Sequence, residues 1–222
     1  MDTALVFDRA LIHKYDKAGP RYTSYPTAVQ FHDGFSEAEY REQVLTSNAS
    51  GRPLSLYVHI PFCDTVCFYC ACNKIVTRNR RHAAPYLDHL YREIALQGAL
   101  FDRSRPVTQL HWGGGTPTFI SDEEMRELMR VTGEHFHLLN DDSGEYSIEV
   151  DPRETDDGTL ALLRELGFNR LSLGVQDFDP DVQKAVNRIQ SRELTLKVMD
   201  AARREGFHSI SVDLIYGLPL QS

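Results

Sequence analysis

Four cysteines lie close together, at Cys63, Cys67, Cys70 and Cys72. A disulfide framework would spread its cysteines along the chain to close long loops, whereas thiols on one short segment are typical of metal or redox chemistry. The spacing Cys63-x3-Cys67-x2-Cys70 would let three thiolates bind three irons of a cubane cluster and leave the fourth iron open. A zinc site, or a redox motif formed by Cys67 and Cys70, remains an alternative, although the second ligand pair that zinc usually takes is missing.

Five apolar, β-branched runs predict strands: Leu54–Ile60, Val107–Trp112, Tyr146–Val150, Arg170–Val175 and Ser209–Ile215. Helical patterns separate these runs. One apolar helix face is made of Leu87, Leu90, Tyr91 and Ile94, and Ser121 with Glu124 forms a capping-box pattern at the start of the next helix. The alternation predicts βα units on a parallel sheet, either curved into part of a barrel or laid out as an open, doubly wound sheet.

Polar or glycine-rich residues lie at the end of each predicted strand or directly after it, where the functional residues of parallel sheets usually lie. In chain order they are the cysteines, Gly113-Gly114-Gly115-Thr116, Glu149 with Asp151, Gln176 with Asp177, and Asp213. Glycines at a strand end would let the backbone approach a cofactor closely, although a plain turn into a helix is the alternative. The five strand ends therefore predict one shared active-site face.

The composition excludes several classes of protein. With 222 residues, 41% hydrophobic and 25% charged, the chain is globular and large enough to fold without a stabilising metal, so a metal site calls for a chemical explanation. A net charge of -8 argues against a nucleic-acid partner. Because neither a membrane-spanning run nor a secretory signal is visible, we expect a cytoplasmic protein with no membrane partner.

The cysteine spacing, with the aromatic Tyr69 before the third cysteine, resembles the radical S-adenosylmethionine superfamily. Within it, the chain is similar to the oxygen-independent coproporphyrinogen III dehydrogenases. The segments that carry the resemblance are Arg21-Tyr22-Thr23-Ser24-Tyr25-Pro26-Thr27, Tyr57-Val58-His59-Ile60-Pro61-Phe62-Cys63, Cys70-Ala71-Cys72-Asn73-Lys74-Ile75-Val76, His111-Trp112-Gly113-Gly114-Gly115-Thr116-Pro117-Thr118, Glu149-Val150-Asp151-Pro152-Arg153 and Gly174-Val175-Gln176-Asp177-Phe178. Haem-chaperone relatives lack the Cys72–Val76 continuation and the Arg21–Tyr25 arm, so these two segments favour the dehydrogenase.

The resemblance implies an α/β fold, a partial TIM-like barrel of the radical SAM type with parallel strands and outer helices. Residues 1–50 would form an amino-terminal arm that contributes to the substrate site, and residues 51–222 the partial barrel. The chain ends at Ser222, shortly after the fifth predicted strand. We therefore expect it to be truncated before the last strand and a carboxy-terminal domain.

The resemblance also implies the cofactors and the site. Cys63, Cys67 and Cys70 would hold a 4Fe-4S cluster with one open iron, and two molecules of S-adenosylmethionine would bind, the first of them chelated to the cluster. The residues expected around S-adenosylmethionine are Tyr57, Tyr69, Gly114, Gly115, Thr116, Glu149, Gln176, Arg188 and Asp213. Tyr69, Gln176, Arg188 and Asp213 fall where the family binds the second molecule. Substrate contacts are expected from Arg21, Tyr22 and Tyr25.

The implied activity is the oxidative decarboxylation of two propionates of coproporphyrinogen III to vinyl groups, which gives protoporphyrinogen IX in haem biosynthesis. A 5′-deoxyadenosyl radical would start each decarboxylation, and we expect an electron donor protein as a partner and a monomeric enzyme. A haem-binding chaperone that keeps the cluster without this turnover is the alternative. His111, His135 and His137 match no metal-ligand spacing with the cysteines and are interpreted as strand-edge or surface residues.

Overall fold

The computed structural model describes residues 7–17 and 26–221. The chain divides into two compact units, residues 1–42 and 43–222. Arg21, Tyr22 and Tyr25, the predicted substrate residues, lie outside the described residues, and their role stays a prediction.

The secondary structure alternates strands and helices along the larger unit. The strands of the described residues are β1 (Leu54–Ile60), β2 (Phe62–Cys63), β3 (Ile75–Val76), β4 (Pro106–Gly114), β5 (His137–Leu138), β6 (Glu145–Val150), β7 (Arg170–Gln176) and β8 (Ser209–Leu214). Their α-helices are α1 (Arg9–Tyr15), α2 (Glu37–Ala49), α3 (Ala83–Gly98), α4 (Asp122–His135), α5 (Asp157–Glu165), α6 (Pro180–Ala185) and α7 (Arg192–Arg204). None of the helices in the described part of the chain is both long and apolar enough to span a bilayer.

The main sheet has the strand order β1-β4-β6-β7-β8, and all of its pairs are parallel. This order follows the chain without reversing. A doubly wound sheet reverses direction at a switch point, whereas a barrel adds each new strand on the same side. The strand order therefore confirms the partial barrel and removes the open-sheet alternative. β2 and β3 form a separate parallel pair at the end of β1, which aligns Cys63 with Val76.

One face of the sheet is buried against the helices. Alternate strand residues such as Ile60, Trp112 and Ile148 are fully buried, and they share one core with Leu87 of α3 and Leu128 of α4. Because successive side chains of a strand point to opposite faces, the residues between them lie on the other face of the sheet. That second face is polar and carries Tyr57, His111, Ser147, Glu149, Ser172, Gln176 and Asp213.

Local chemistry sets several helix boundaries, and the predicted start of α4 is confirmed. Ser121 and Glu124 form a capping box at the start of α4. Gly167 and Gly206, which follow α5 and α7, adopt positive φ angles of 92° and 82°. A glycine takes this left-handed conformation without the steric cost that a side chain would add, so it ends a helix readily.

Candidate active site

Cys63, Cys67 and Cys70 are half-buried and line one cavity of about 220 Å³ at the carboxyl ends of the strands. Cys72 borders the same cavity but is exposed. The remaining lining side chains come from four strand ends and from the loops beside them. They include Tyr69, Gly114, Gly115, Thr116, Glu149, Asp151, Arg153, Glu154, Ser172, Gln176, Arg188 and Asp213.

The glycine turn after β4 is packed against the segment that leads into the cysteine loop. The Gly115 N–H donates to the Ile60 carbonyl at 2.8 Å, and the Thr116 N–H donates to the Phe62 carbonyl at 2.7 Å. A Cβ atom at Gly115 would lie 2.5 Å from the Phe62 carbonyl oxygen. The close backbone approach found here is thus to the protein's own chain, and it holds the glycine turn beside Cys63.

The environment of Cys63 favours the protonated thiol when no metal is bound. Burial raises the pKa of Cys63 to about 11, although a hydrogen bond with the Thr116 side chain works in the opposite direction. Metals bind the thiolate, so a metal that binds here must displace this proton.

The segment after α6 clamps the cysteine loop from the opposite side. The Phe68 N–H donates to the Val186 carbonyl at 3.0 Å. The side-chain amide of Asn187 donates to the Val66 carbonyl at 2.7 Å. Asn187 has φ +56°, a left-handed conformation that asparagine tolerates better than most residues. Backbone and side chain together hold both flanks of Cys67.

Arg188 connects this clamp to a buried ionic group. Arg188 and Asp151 are each 7% exposed, and Nη1 of Arg188 lies 3.1 Å from Oδ2 of Asp151. The same Nη1 lies 3.7 Å from Sγ of Cys67, while Nη2 donates to the Gly174 carbonyl at 2.6 Å. Arg153 makes a second ion pair with Asp151 at 2.7 Å. Although burial alone would raise it, the two guanidinium groups leave the pKa of Asp151 below its usual value.

Two further cations hold the outer side of the cysteine loop. Nζ of Lys74 donates to the Cys70 carbonyl at 2.8 Å. Arg80 pairs with both carboxylate oxygens of Asp64, at 2.7 and 2.8 Å, and lies 3.9 Å above the Phe119 ring. Asp64 directly follows Cys63, so the loop is fixed by charge on this side as well.

Glu149 lies at the end of β6 and accepts hydrogen bonds on both carboxylate oxygens. The Gly114 N–H donates to Oε2 at 3.2 Å, and Nε2 of His111 lies 3.4 Å from Oε1. The interpretation of His111 as a strand-edge or surface residue is wrong. His111 is half-buried in β4, a central strand paired with β1 and β6. The sequence pattern predicted that His111 lies in a strand, but it did not indicate Glu149 as the partner of His111.

Three other residues that were predicted to bind the cofactor, Tyr69, Gln176 and Asp213, also line this cavity. Tyr69 lines it and packs beside Val182 and Val186, and burial raises its pKa. Gln176 has φ +69°, and among the described residues its buried Oε1 has no hydrogen-bond partner. Asp213 lies 3.3 Å from Oγ of Ser172.

Tyr57 is the exception among these residues. It is 59% exposed and does not line the cysteine cavity, so its predicted place beside S-adenosylmethionine stays a prediction. It lines a separate cavity of about 230 Å³ between β1 and α3 and stacks on the His111 ring at 5.7 Å. Tyr57 therefore contacts His111, and His111 in turn contacts Glu149.

The donor groups are suitable for an iron–sulfur cluster and a polar cofactor. In residues 7–17 and 26–221, no three Cys, His, Asp or Glu side chains converge on one position as ligands of a single ion. A cubane cluster makes a different demand, because each of its thiolates binds a separate iron. Within the described part of the chain, Nε of Arg188 and Oε1 of Gln176 are buried without partners, and both residues line the cavity. Unsatisfied buried polar atoms are costly, and a polar ligand would satisfy them.

Sequence reasoning missed several residues of this site. Arg153, Glu154 and Ser172 line the cavity, and burial next to two other carboxylates raises the pKa of Glu154. Arg153 and Glu154 follow the end of β6, which was the available signal, whereas Ser172 lies inside β7. No sequence signal pointed to Asn187, because its hydrogen-bond partner Val66 lies far away in the chain.

Residues 57–222 match the family model of the radical SAM superfamily. The chain is 57% identical to an oxygen-independent coproporphyrinogen III oxidase from Pseudomonas aeruginosa and 51% identical to one from Escherichia coli, over 97% of its own length in both cases. The solved structure of coproporphyrinogen III oxidase from Escherichia coli, described as a radical SAM enzyme, aligns with a TM-score of 0.86 and 49% identity over 98% of this chain. The matches cover 46–47% of those proteins, so the chain spans about half the length of the curated relatives it matches.

Proposed function

This chain belongs to the radical SAM superfamily, and we propose that it carries the cluster and cofactor site of an oxygen-independent coproporphyrinogen III oxidase. The observation that carries the proposal is the single cavity that joins Cys63, Cys67 and Cys70 to the glycine turn and Glu149. The names of its relatives supply the substrate class.

The three cysteines would bind a 4Fe-4S cluster, and Glu149, Gly114 and Thr116 would line the place of S-adenosylmethionine beside it. When bound, these two groups supply a 5′-deoxyadenosyl radical. The rest of the work belongs to the protein. The hydrogen bond of Asn187 and the ion pairs of Arg80 and Arg188 hold the loop in place. A protein contributes this placement, together with the exclusion of side reactions, to the chemistry of its cofactor.

A second molecule of S-adenosylmethionine would lie nearer β7 and β8, against Tyr69, Gln176, Arg188 and Asp213. All four residues line the cavity. The unpartnered Oε1 of Gln176 and Nε of Arg188 support a polar ligand there. Tyr57 would act at the edge of the first site, through its stacking on His111.

The proposed reaction converts two propionates of coproporphyrinogen III into vinyl groups. Each propionate would give one hydrogen atom from its β-carbon to the 5′-deoxyadenosyl radical, which becomes 5′-deoxyadenosine. Carbon dioxide would then leave, and an external one-electron acceptor would take the remaining electron. The electron that starts each cycle would come from an electron donor protein.

The test measures cluster assembly, cofactor cleavage and substrate oxidation separately. The protein is reconstituted anaerobically with iron and sulfide, reduced, and given S-adenosylmethionine with or without coproporphyrinogen III. We expect a 4Fe-4S cluster bound by three thiolates and formation of 5′-deoxyadenosine, whereas full protoporphyrinogen formation is expected only from a protein that spans the whole length of the relatives. The Cys67→Ser variant is the matched control and should give neither product.

Two other outcomes would replace the proposal. Tight haem binding with 5′-deoxyadenosine but no decarboxylation would favour the haem chaperone. Stoichiometric zinc without acid-labile sulfide would favour a zinc module, since a cluster contains sulfide and a zinc site does not.

A further inference from the structure

We propose that His111 is a positioning residue, which together with Ser147 fixes the carboxylate of Glu149 towards a hydrogen-bond donor of the bound cofactor. The identity of that ligand, S-adenosylmethionine, rests on the proposed function. The hydrogen-bonded arrangement of the side chains does not.

His111, Ser147 and Glu149 lie on the polar face of two neighbouring strands. His111 of β4 is directly opposite Ser147 of β6 in the parallel register, and Glu149 follows two residues later on the same face. Nδ1 of His111 lies 2.6 Å from Oγ of Ser147, and Nε2 lies 3.4 Å from Oε1 of Glu149. The two ring nitrogens therefore face two different partners.

The chemistry of the partners selects one tautomer of the neutral ring. An ionised carboxylate only accepts hydrogen bonds, so Nε2 must carry the proton that faces Glu149. Nδ1 is then an acceptor, and the Ser147 hydroxyl can donate to it, because a hydroxyl rotates to suit its partner. The result is a chain of two hydrogen bonds, from Ser147 to His111 and from His111 to Glu149.

The ring of His111 has little freedom to turn away. On one side it stacks on Tyr57, with the ring planes 17° apart. Gly113 leaves the space in which the imidazole meets the carboxylate. A Cβ atom at Gly113 would lie 3.0 Å from Nε2 of His111 and 3.1 Å from Oε1 of Glu149. A side chain at Gly113 would thus crowd this contact.

The arrangement leaves Glu149 ready to receive a ligand. His111 occupies one lone-pair position on Oε1, and the Gly114 N–H occupies one on Oε2. A carboxylate has about four such positions, so two are free. His111 and the Gly114 N–H thus hold the carboxylate in place. Because Glu149 lines the cysteine cavity, its two free lone-pair positions can accept hydrogen bonds from an ammonium or hydroxyl group there.

The first experiment uses the metal-free chain and needs no cofactor. Nitrogen-15 NMR of histidine-labelled protein at pH 8 reports which ring nitrogen carries the proton, and the His111 signals are those absent from His111→Gln. We expect a protonated Nε2 and an unprotonated Nδ1, with this preference weakened in Ser147→Ala. A protonated Nδ1 with a bare Nε2 would overturn the proposal, because such a ring cannot donate to Glu149.

The second experiment measures S-adenosylmethionine binding to the cluster-loaded protein. The amide nitrogen of glutamine can reach the position of Nε2, whereas that of asparagine reaches only the position of Nδ1. We expect His111→Asn to raise the dissociation constant about threefold to tenfold, as one lost hydrogen bond would, and His111→Gln to stay within about twofold of wild type. The matched control is His137→Asn, the same change at an exposed histidine of β5, which should leave binding unchanged.

A double variant separates the two proposals. If His111 acts through Glu149, His111→Asn adds nothing to the effect of Glu149→Ala. Additive effects would overturn the positioning role. If Glu149→Ala alone leaves binding unchanged, the assignment of the cofactor to this carboxylate fails, whereas the NMR result on the metal-free chain still decides the hydrogen-bond chain.

Discussion

Replacing Gly115 by alanine should damage the junction between the glycine turn and the cysteine loop. The new Cβ would lie 2.5 Å from the Phe62 carbonyl oxygen and 2.8 Å from the carbonyl carbon and oxygen of Pro61. All three contacts are with backbone atoms, so no side chain can rotate away. The glycine turn must therefore move away from the segment of Ile60 to Phe62, which lengthens the two hydrogen bonds that the N–H groups of Gly115 and Thr116 donate to that segment.

The magnitude follows from these contacts. Forcing an extra methyl group into a packed site costs ~1–3 kcal/mol, and weakening one of the two hydrogen bonds adds ~1 kcal/mol. We expect Gly115→Ala to lower the free energy of unfolding by ~2–4 kcal/mol. Since Thr116 hydrogen-bonds with Cys63, the variant should also lose iron faster than wild type after reconstitution.

Gly133→Ala is the matched control. Gly133 lies in α4, where the new Cβ would be 3.7 Å from Cδ1 of Leu138, an ordinary van der Waals contact. Alanine favours a helix over glycine by ~0.5–1 kcal/mol, so this variant should be stabilised. Urea unfolding followed by circular dichroism compares the two variants at equal m-values. A Gly115→Ala protein as stable as wild type, with normal iron retention, would refute the steric argument.

Three other predictions address the loop and its supports. Serine at any of the three predicted cluster cysteines should abolish the cluster, whereas Cys72→Ser should retain it, as counted by iron and sulfide analysis; loss of the cluster in Cys72→Ser alone would reverse the ligand assignment. Asn187→Gly and Asn187→Ala should both release iron to a chelator faster than wild type, and the alanine variant should be less stable by a further ~1 kcal/mol because of its left-handed conformation; equal iron release in all three proteins would contradict the clamp. Asp151→Asn should cost about 3 kcal/mol of stability at neutral pH, because the buried guanidinium group of Arg188 and the partly buried one of Arg153 lose their partner. The folded pKa of Asp151 is lowered, so its contribution is complete above the unfolded pKa of about 3.9 and is lost as the pH falls through the lower folded value. The difference from wild type in urea midpoints should therefore stay constant down to about pH 4.5 and shrink only below about pH 4, and a difference that already shrinks near pH 6 would point to another group.

The sequence by itself determined the local elements. The apolar, β-branched run placed β1 at its observed limits, and the i, i+3, i+4, i+7 spacing from Leu87 to Ile94 placed α3 with its buried face. Cap chemistry fixed the start of α4 at Ser121. These features follow from backbone geometry over a few residues, so a single chain displays them directly.

The sequence also identified the residues that meet in the cysteine cavity. In a parallel sheet all strands end at the same edge, so a polar residue at each strand end predicts a shared face without any knowledge of contacts. Glu149, Gln176 and Asp213 were placed correctly at this edge for that reason.

The tertiary structure alone decided how these side chains hold one another. The order of strands in space separates a barrel from an open sheet, and periodicity is the same in both. The partner of His111 depends on the register between β4 and β6. The hydrogen bond from Asn187 to Val66 in the cysteine loop connects two segments that are far apart in the chain. Such contacts arise only when loop closure and the packing of the core bring separate elements to one place, and no local pattern of residues records that outcome.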